Sequence, residues 1–284
     1  MDAKMPVNLC KKLHNSSIPM RVRAFMRKLQ SSPLAFMNTF SSSADMALSL
    51  ITALDPVLAG IVARSLAVSA LACVIASGLG LLLGAWLGVS SFKGRGVVLA
   101  LLNTALALPS VVVGLVVYLL LSRSGPLGYL GWLFSFKAMV LAQSVLVLPV
   151  VTALVRQTIE DAERNHGEQF QSLGAGRFVR GLILLWDERY ALLTVLIAAF
   201  GRAISEVGAV MVVGGNIDGY TRVMTTSIAL ETSKGDLPLA LALGIVLLGV
   251  VLLLNVLIAL LKRWREQLDD TAPAAVAQAH RAAL

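Results

Sequence analysis

Long apolar stretches divided by short polar ones set the pattern of this chain. Four runs, at 66–89, 97–121, 138–155 and 237–261, contain no Asp, Glu, Lys or Arg. Each holds about 18–25 residues, enough for a helix to cross a hydrocarbon layer of about 30 Å. A fifth run, 191–215, is as long but contains Arg202 and Glu206. Ionisable residues inside an apolar helix mark a functional position, and one helical turn of separation lets these two side chains pair. The pattern predicts an all-α, polytopic membrane bundle of about five spanning helices.

The flanks read differently. Residues 46–63 alternate apolar and small side chains until Asp55-Pro56 interrupts them. Neither half is long enough to span, so 46–65 is expected to form a surface or half-inserted helix before a transmembrane domain over 66–262. Residues 1–45 form a basic leader, with Lys4, Lys11, Lys12, Arg21, Arg23, Arg27 and Lys28 against Asp2 and Asp45. It lacks the uninterrupted apolar core of a secretory signal and reads as a disordered tail. A second reading starts translation at Met37 or Met46. Residues 263–284 read as a cytoplasmic tail.

Within the spans, Gly80, Gly84 and Gly88 recur every four residues, and Ala72 and Ala76 continue the stripe. Such a stripe predicts close helix packing in lipid. Pro109 and Pro149 each remove a backbone donor inside a span and predict kinks.

Composition agrees with a lipid environment: 57% of the 284 residues are apolar and 14% charged, with a mean hydropathy of +0.80. The net charge of +8 fits basic cytoplasmic loops better than nucleic-acid binding, since no aromatic-interleaved basic motif occurs. With 156–190 placed in the cytoplasm, the inside set holds eleven bases: Lys93, Arg95, Arg156, Arg164, Arg177, Arg180, Arg189, Lys262, Arg263, Arg265 and Arg281. The two outer loops hold four, Arg123, Lys137, Arg222 and Lys234. That orientation leaves the basic leader outside, against the positive-inside rule, which is why a later start is entertained. Cys10 and Cys73 define no disulfide framework, and His14, His166 and His280 have no metal-ligand spacing. No phosphate-cradling G-x-x-x-x-G-K-[ST] segment, zinc-protease motif or serine elbow is present. The chain is expected to be no enzyme and to hold no cofactor or metal itself.

The polar loop 156–190 is long and carries both signs of charge, which suggests an amphipathic helical hairpin. It contains Glu168-Gln169-Phe170-Gln171-Ser172-Leu173-Gly174-Ala175-Gly176-Arg177, then the apolar 182–185. This resembles the signature loop of ABC-importer permeases: Glu-Ala-Ala, three residues, Gly, nine residues, an apolar residue, a spacer, Leu and Pro. Glu168, Gly174 and Leu184 fall at the matching positions. Gln169 and Phe170 replace the alanines, and Trp186 and Asp187 replace Leu-Pro. A second register, from Asp161-Ala162 to Gly167, would put Arg177 at the apolar position. The resemblance implies that Glu168, Leu173, Gly174, Ala175 and Leu184 belong to an ATPase-coupling element, a short helix turned back at a glycine of positive φ.

A second stretch runs from Gly201-Arg202-Ala203-Ile204-Ser205-Glu206-Val207-Gly208-Ala209 to Gly214-Gly215-Asn216-Ile217, then Thr221-Arg222-Val223-Met224-Thr225-Thr226. It is similar to the molybdate, tungstate and sulfate permease group, the Ser-Glu-Val-Gly-Ala form and Gly-Gly-Asn-Ile end most of all to the tungstate branch. Leu108-Pro109-Ser110-Val111-Val112-Val113-Gly114-Leu115 and Gly125-Pro126-Leu127-Gly128 are similar to the same group.

The resemblance implies a multi-pass protein of the bacterial inner membrane acting as a homodimer. A cytoplasmic ABC ATPase dimer would bind the ATP and Mg, and a periplasmic or lipid-anchored binding protein would deliver the oxyanion. Arg202 and Glu206 are expected to fix their helix, or else to contact a gate. Gly214, Gly215, Asn216, Thr221, Arg222, Thr225 and Thr226 are candidates for an outer gate or anion path, offering backbone N–H groups and hydroxyls. A molybdate or sulfate permease is the alternative in the same class. A gradient-driven secondary transporter, with repeats and broken helices, and a non-transporting scaffold are alternatives outside it.

Overall fold

A computed structural model describes residues 45–46, 48–49, 56–172, 174–253, 255–256 and 259–260. Expectations for residues 1–44, for the 263–284 tail and for Leu173 fall outside the described residues. The others form helices α1 (Pro56–Val89), α2 (Arg95–Leu106), α3 (Ser110–Leu121), α4 (Phe136–Ser172), α5 (Arg177–Asp187), α6 (Arg189–Ile204), α7 (Gly208–Gly214), α8 (Met224–Lys234) and α9 (Leu237–Leu253), with a 3-10 turn at Gly128–Leu130. No strand occurs among them. The protein is an all-α polytopic bundle.

Residues 56–65, expected in a separate helix over 46–65, run on into the first span as one helix, while 47 and 50–55 lie outside the described residues. Among the described residues, α1 and α4 are the two continuous helices long and apolar enough to cross a membrane, and they form the central pair. The glycine stripe explains how closely they lie. A Cβ at Gly84 would stand 2.7 Å from Val155 Cβ, and at Gly80 and Gly88 it would stand 2.8 Å from Val151 Cγ1 and Ile159 Cγ2. Val151, Val155 and Ile159 are fully buried at the same four-residue interval, so bare backbone on one helix meets branched side chains on the other.

Two expected spans are not continuous. The run 97–121 breaks between α2 and α3 with a bend of 98°, and 191–215 breaks between α6 and α7 with a bend of 56°. Pro109 forces the first: it takes an extended conformation (φ −62°, ψ 127°) as the N-cap of α3, and disfavours helix in the residue before it. Pro149, by contrast, stays inside an unbroken α4. Each bent pair taken as one span gives up to four crossings. α9, apolar and described over Leu237–Leu253, lies within the expected span 237–261 and packs with Ala242, Leu243 and Val246 against Leu58, Ile61 and Met224.

Candidate functional site

The loop 156–190 is built as a stalk and a return helix. α4 does not stop at the end of its apolar run but continues to Ser172, so the helix before Gly174 is the tip of a spanning helix and not a short hairpin arm. The tip ends in a Schellman turn: Ala175 N–H donates to Phe170 O (3.0 Å), Gly174 N–H donates to Gln171 O (2.9 Å), and Gly174 has φ +76°. Nothing stands within 4 Å of a Cβ added at Gly174 or Gly176. Glu168, Gln169, Gln171, Ser172 and Gly174 are exposed, and Ala175 is half-buried. Leu184, on the return helix α5, is fully buried beside Ala85 and Ile159. The tip is therefore an open knob on a packed base.

Charge holds that base. Arg180, buried on α5, places Nη1 2.7 Å from Glu163 Oε1 on α4. The pair is a contact of charges and not an aligned hydrogen bond, for Arg180 Nη1 itself makes no hydrogen bond among the described residues. Lower on the stalk, Glu160 gathers Arg95 (3.2 Å), Arg164 (3.1 Å) and Arg156. Partial burial pushes the Glu160 carboxyl up. The hydrogen bond and charge of Arg95, with Arg156 and Arg164, outweigh that and hold it below the ordinary glutamate value. The spacing of Arg156, Glu160 and Arg164 was visible in the sequence; nothing there tied Arg95 or Arg180 to them.

Arg202 and Glu206 meet at the break of the fifth run. Arg202 lies in the last turn of α6 and Glu206 between α6 and α7, with Nη1 donating to Oε2 over 2.9 Å. Their surroundings differ: the Arg202 side chain is 47% exposed and that of Glu206 5%. A break inside lipid frees carbonyls that need donors, and the fold supplies them. Gln143 Nε2 donates to Ala203 O (2.7 Å), and Thr225 Oγ1 donates to Glu206 O (2.9 Å). Gln143, a lone amide in the apolar run 138–155, is a signal that the sequence reading passed over.

The outer-loop candidates turn inward. Thr221 Oγ1 donates to Gly214 O (2.6 Å) and accepts from Ile217 N–H (2.9 Å). Thr226 Oγ1 donates to Val223 O (3.0 Å) and accepts from Val223 N–H (3.1 Å). Asn216 Nδ2 donates to Thr226 O (3.4 Å). Arg222 Nη1 lies 3.0 Å from Asp218 Oδ1. Gly215 N–H donates to Met211 O (3.0 Å), and a Cβ there would lie 2.8 Å from Phe134 Cδ1. Arg64 of α1 ties this loop down, donating from Nε to Arg222 O (3.2 Å) and from Nη1 to Gly219 O (3.0 Å).

Few charges enter the apolar core, two spans are broken, one of them where polar groups collect, and one end projects a free knob; these are features of a multi-pass membrane transport component. Residues 80–267 match the family described as binding-protein-dependent transport system inner membrane component, and the chain belongs to that family. It is 40% identical over 216 residues to the tungstate uptake system permease protein TupB of Peptoclostridium acidaminophilum, covering 75% of this chain and 93% of that one. It is 41% identical over 205 residues to a probable anion ABC transporter permease protein of Haloferax volcanii, covering 70% and 88%. The molybdenum transport system permease protein ModB of Escherichia coli K12 is more distant, 32% identical over 186 residues, covering 61% and 80%.

Proposed function

We propose that this chain is the membrane-spanning permease of an ATP-driven importer that takes a tetrahedral oxyanion, tungstate foremost, from a binding protein. Two copies enclose the path. The knob at Glu168–Gly174–Ala175 docks in a cleft of a cytoplasmic ATPase dimer, which alone binds ATP and Mg. Closure of the ATPases moves the knobs, and the stalk of α4 carries that movement into α1, where the glycine stripe leaves no slack. The two broken spans are where the path opens to one side or the other. The projecting Schellman knob is the observation that carries this reading, in a chain of a binding-protein-dependent family. Broken spans alone would equally suit a gradient-driven transporter; the knob and the family favour ATP. The anion is inferred from the relatives named for tungstate.

Gly174→Val tests the coupling role. A β-branched residue disfavours φ +76°, yet no side chain stands near enough to disturb the bundle. The variant is expected to insert normally, to copurify with less ATPase, and to lose the response of ATP hydrolysis to loaded binding protein in proteoliposomes. Full association and full uptake by Gly174→Val and by Glu168→Ala would rule the assignment out.

A further inference from the structure

We infer that Arg202 is the residue that contacts the anion on its way through, offering the free edge of its guanidinium to two oxygens of a tetrahedral oxyanion. The inference rests on the importer reading above and names a residue for its path. It begins from an asymmetry within the Arg202–Glu206 pair, whose carboxylate is turned into the subunit at 5% exposure while the guanidinium stands 47% exposed at its surface. The pair lies where α6 ends and α7 is about to begin, inside the apolar run 191–215 and so within the hydrocarbon layer that this run is read to cross. A cation at that depth faces a protein interior or a watery cavity, not lipid. The surface that presents Arg202 is therefore covered by a path or by a second copy.

The hydrogen bonding fits an anion. Nη1 is engaged with Glu206, and the guanidinium has no other hydrogen-bond partner among the described residues. Nε and Nη2 form the planar two-donor edge that matches a pair of oxyanion oxygens. The hydroxyls of Thr221, Thr225 and Thr226, by comparison, are all given to backbone carbonyls. Glu206 also sets the strength of the contact. It neutralises most of the cation, so a divalent oxyanion is recognised by the donor edge without meeting a bare charge that would trap it. Passage needs that balance, with binding strong enough to admit and weak enough to release.

The test uses the full complex, permease with its ATPase and binding protein, in proteoliposomes. With Cys10 and Cys73 replaced by serine, Arg202→Cys is exposed to a membrane-impermeant anionic methanethiosulfonate. The introduced thiol is expected to react in at least one nucleotide state, and tungstate is expected to slow the reaction. Arg202→Lys keeps the charge and the pairing with Glu206 but loses the two-donor edge. It is expected to melt with the wild type while tungstate uptake falls about tenfold, the loss of one charge-assisted hydrogen bond. A thiol unreactive in every nucleotide state, or wild-type uptake by Arg202→Lys, would overturn the inference. Labelling needs no transport, so the two readings fail separately: a wild-type complex that moved no oxyanion would sink the importer, and an unreachable thiol in a working importer would sink only the role of Arg202.

Discussion

Among single residues, the charges inside the bundle are held by partners, and removing one partner is the informative change. Glu206 is buried and bound to Arg202, so Glu206→Gln leaves a guanidinium uncompensated within the hydrocarbon layer. An unpaired charge at the centre of a spanning helix costs about 2.5–3.5 kcal/mol on insertion scales. Glu206→Gln is expected to lower the melting temperature in detergent, and adding Arg202→Gln to restore part of it. Strictly additive losses in that double-mutant cycle would mean that the pair does not couple. Outside the membrane, Glu160 predicts a response to acid. Its carboxyl titrates below the ordinary value in the folded state, so its contribution is complete above the unfolded pKa of about 4.3 and fades as pH falls through the lower, folded value. Melting curves of the wild type and Glu160→Gln should differ at neutral pH and converge in strong acid. A gap that widened with acid would have the wrong sign.

For helices the question is how tightly α1 meets α4. Gly84 stands against Val155 Cβ and Thr152 O, with 2.7 and 2.9 Å available to an added Cβ. Backbone cannot move aside as a flexible side-chain end can, so Gly84→Leu must separate the two helices. Overpacking of this kind costs about 1–3 kcal/mol. The variant should melt lower in detergent, whereas Gly78→Leu, with nothing within 4 Å of its Cβ position on the same helix, should not. Equal melting of the two would show that the interface is loose. The stripe was legible in the sequence because glycines every four residues share one helix face, but its partner was not. Val151, Val155 and Ile159 are ordinary apolar residues in a run full of them.

On the proposed reading the whole molecule borrows its motion from a partner ATPase through the knob. Uptake by the reconstituted complex with ATP enclosed is therefore expected to require both the ATPase and the binding protein, and to survive a protonophore. Uptake by the permease alone that collapsed with the proton gradient would move the protein into the secondary-transporter class, whose broken helices it shares.

By itself the sequence determined the solvent, the helical class, the knob and its glycine, and the spacing that lets Arg202 and Glu206 meet. All of these are local: the length of an apolar run, a residue type that tolerates positive φ, a separation of one helical turn. It set 46–65 apart from the first span, whereas Pro56–Val89 is one helix. It expected a kink at Pro109 but no full break in 97–121, and left 191–215 unbroken. The 56° bend of the second depends on distant donors, Gln143 and Thr225, that make freed carbonyls tolerable inside lipid. Tertiary structure alone decided that the outer threonines spend their hydroxyls on backbone, that Arg95 and Arg180 brace the stalk, and that of two paired charges the cation faces outward. Exposure belongs to the packing of whole helices, and a spacing along the chain carries no record of it.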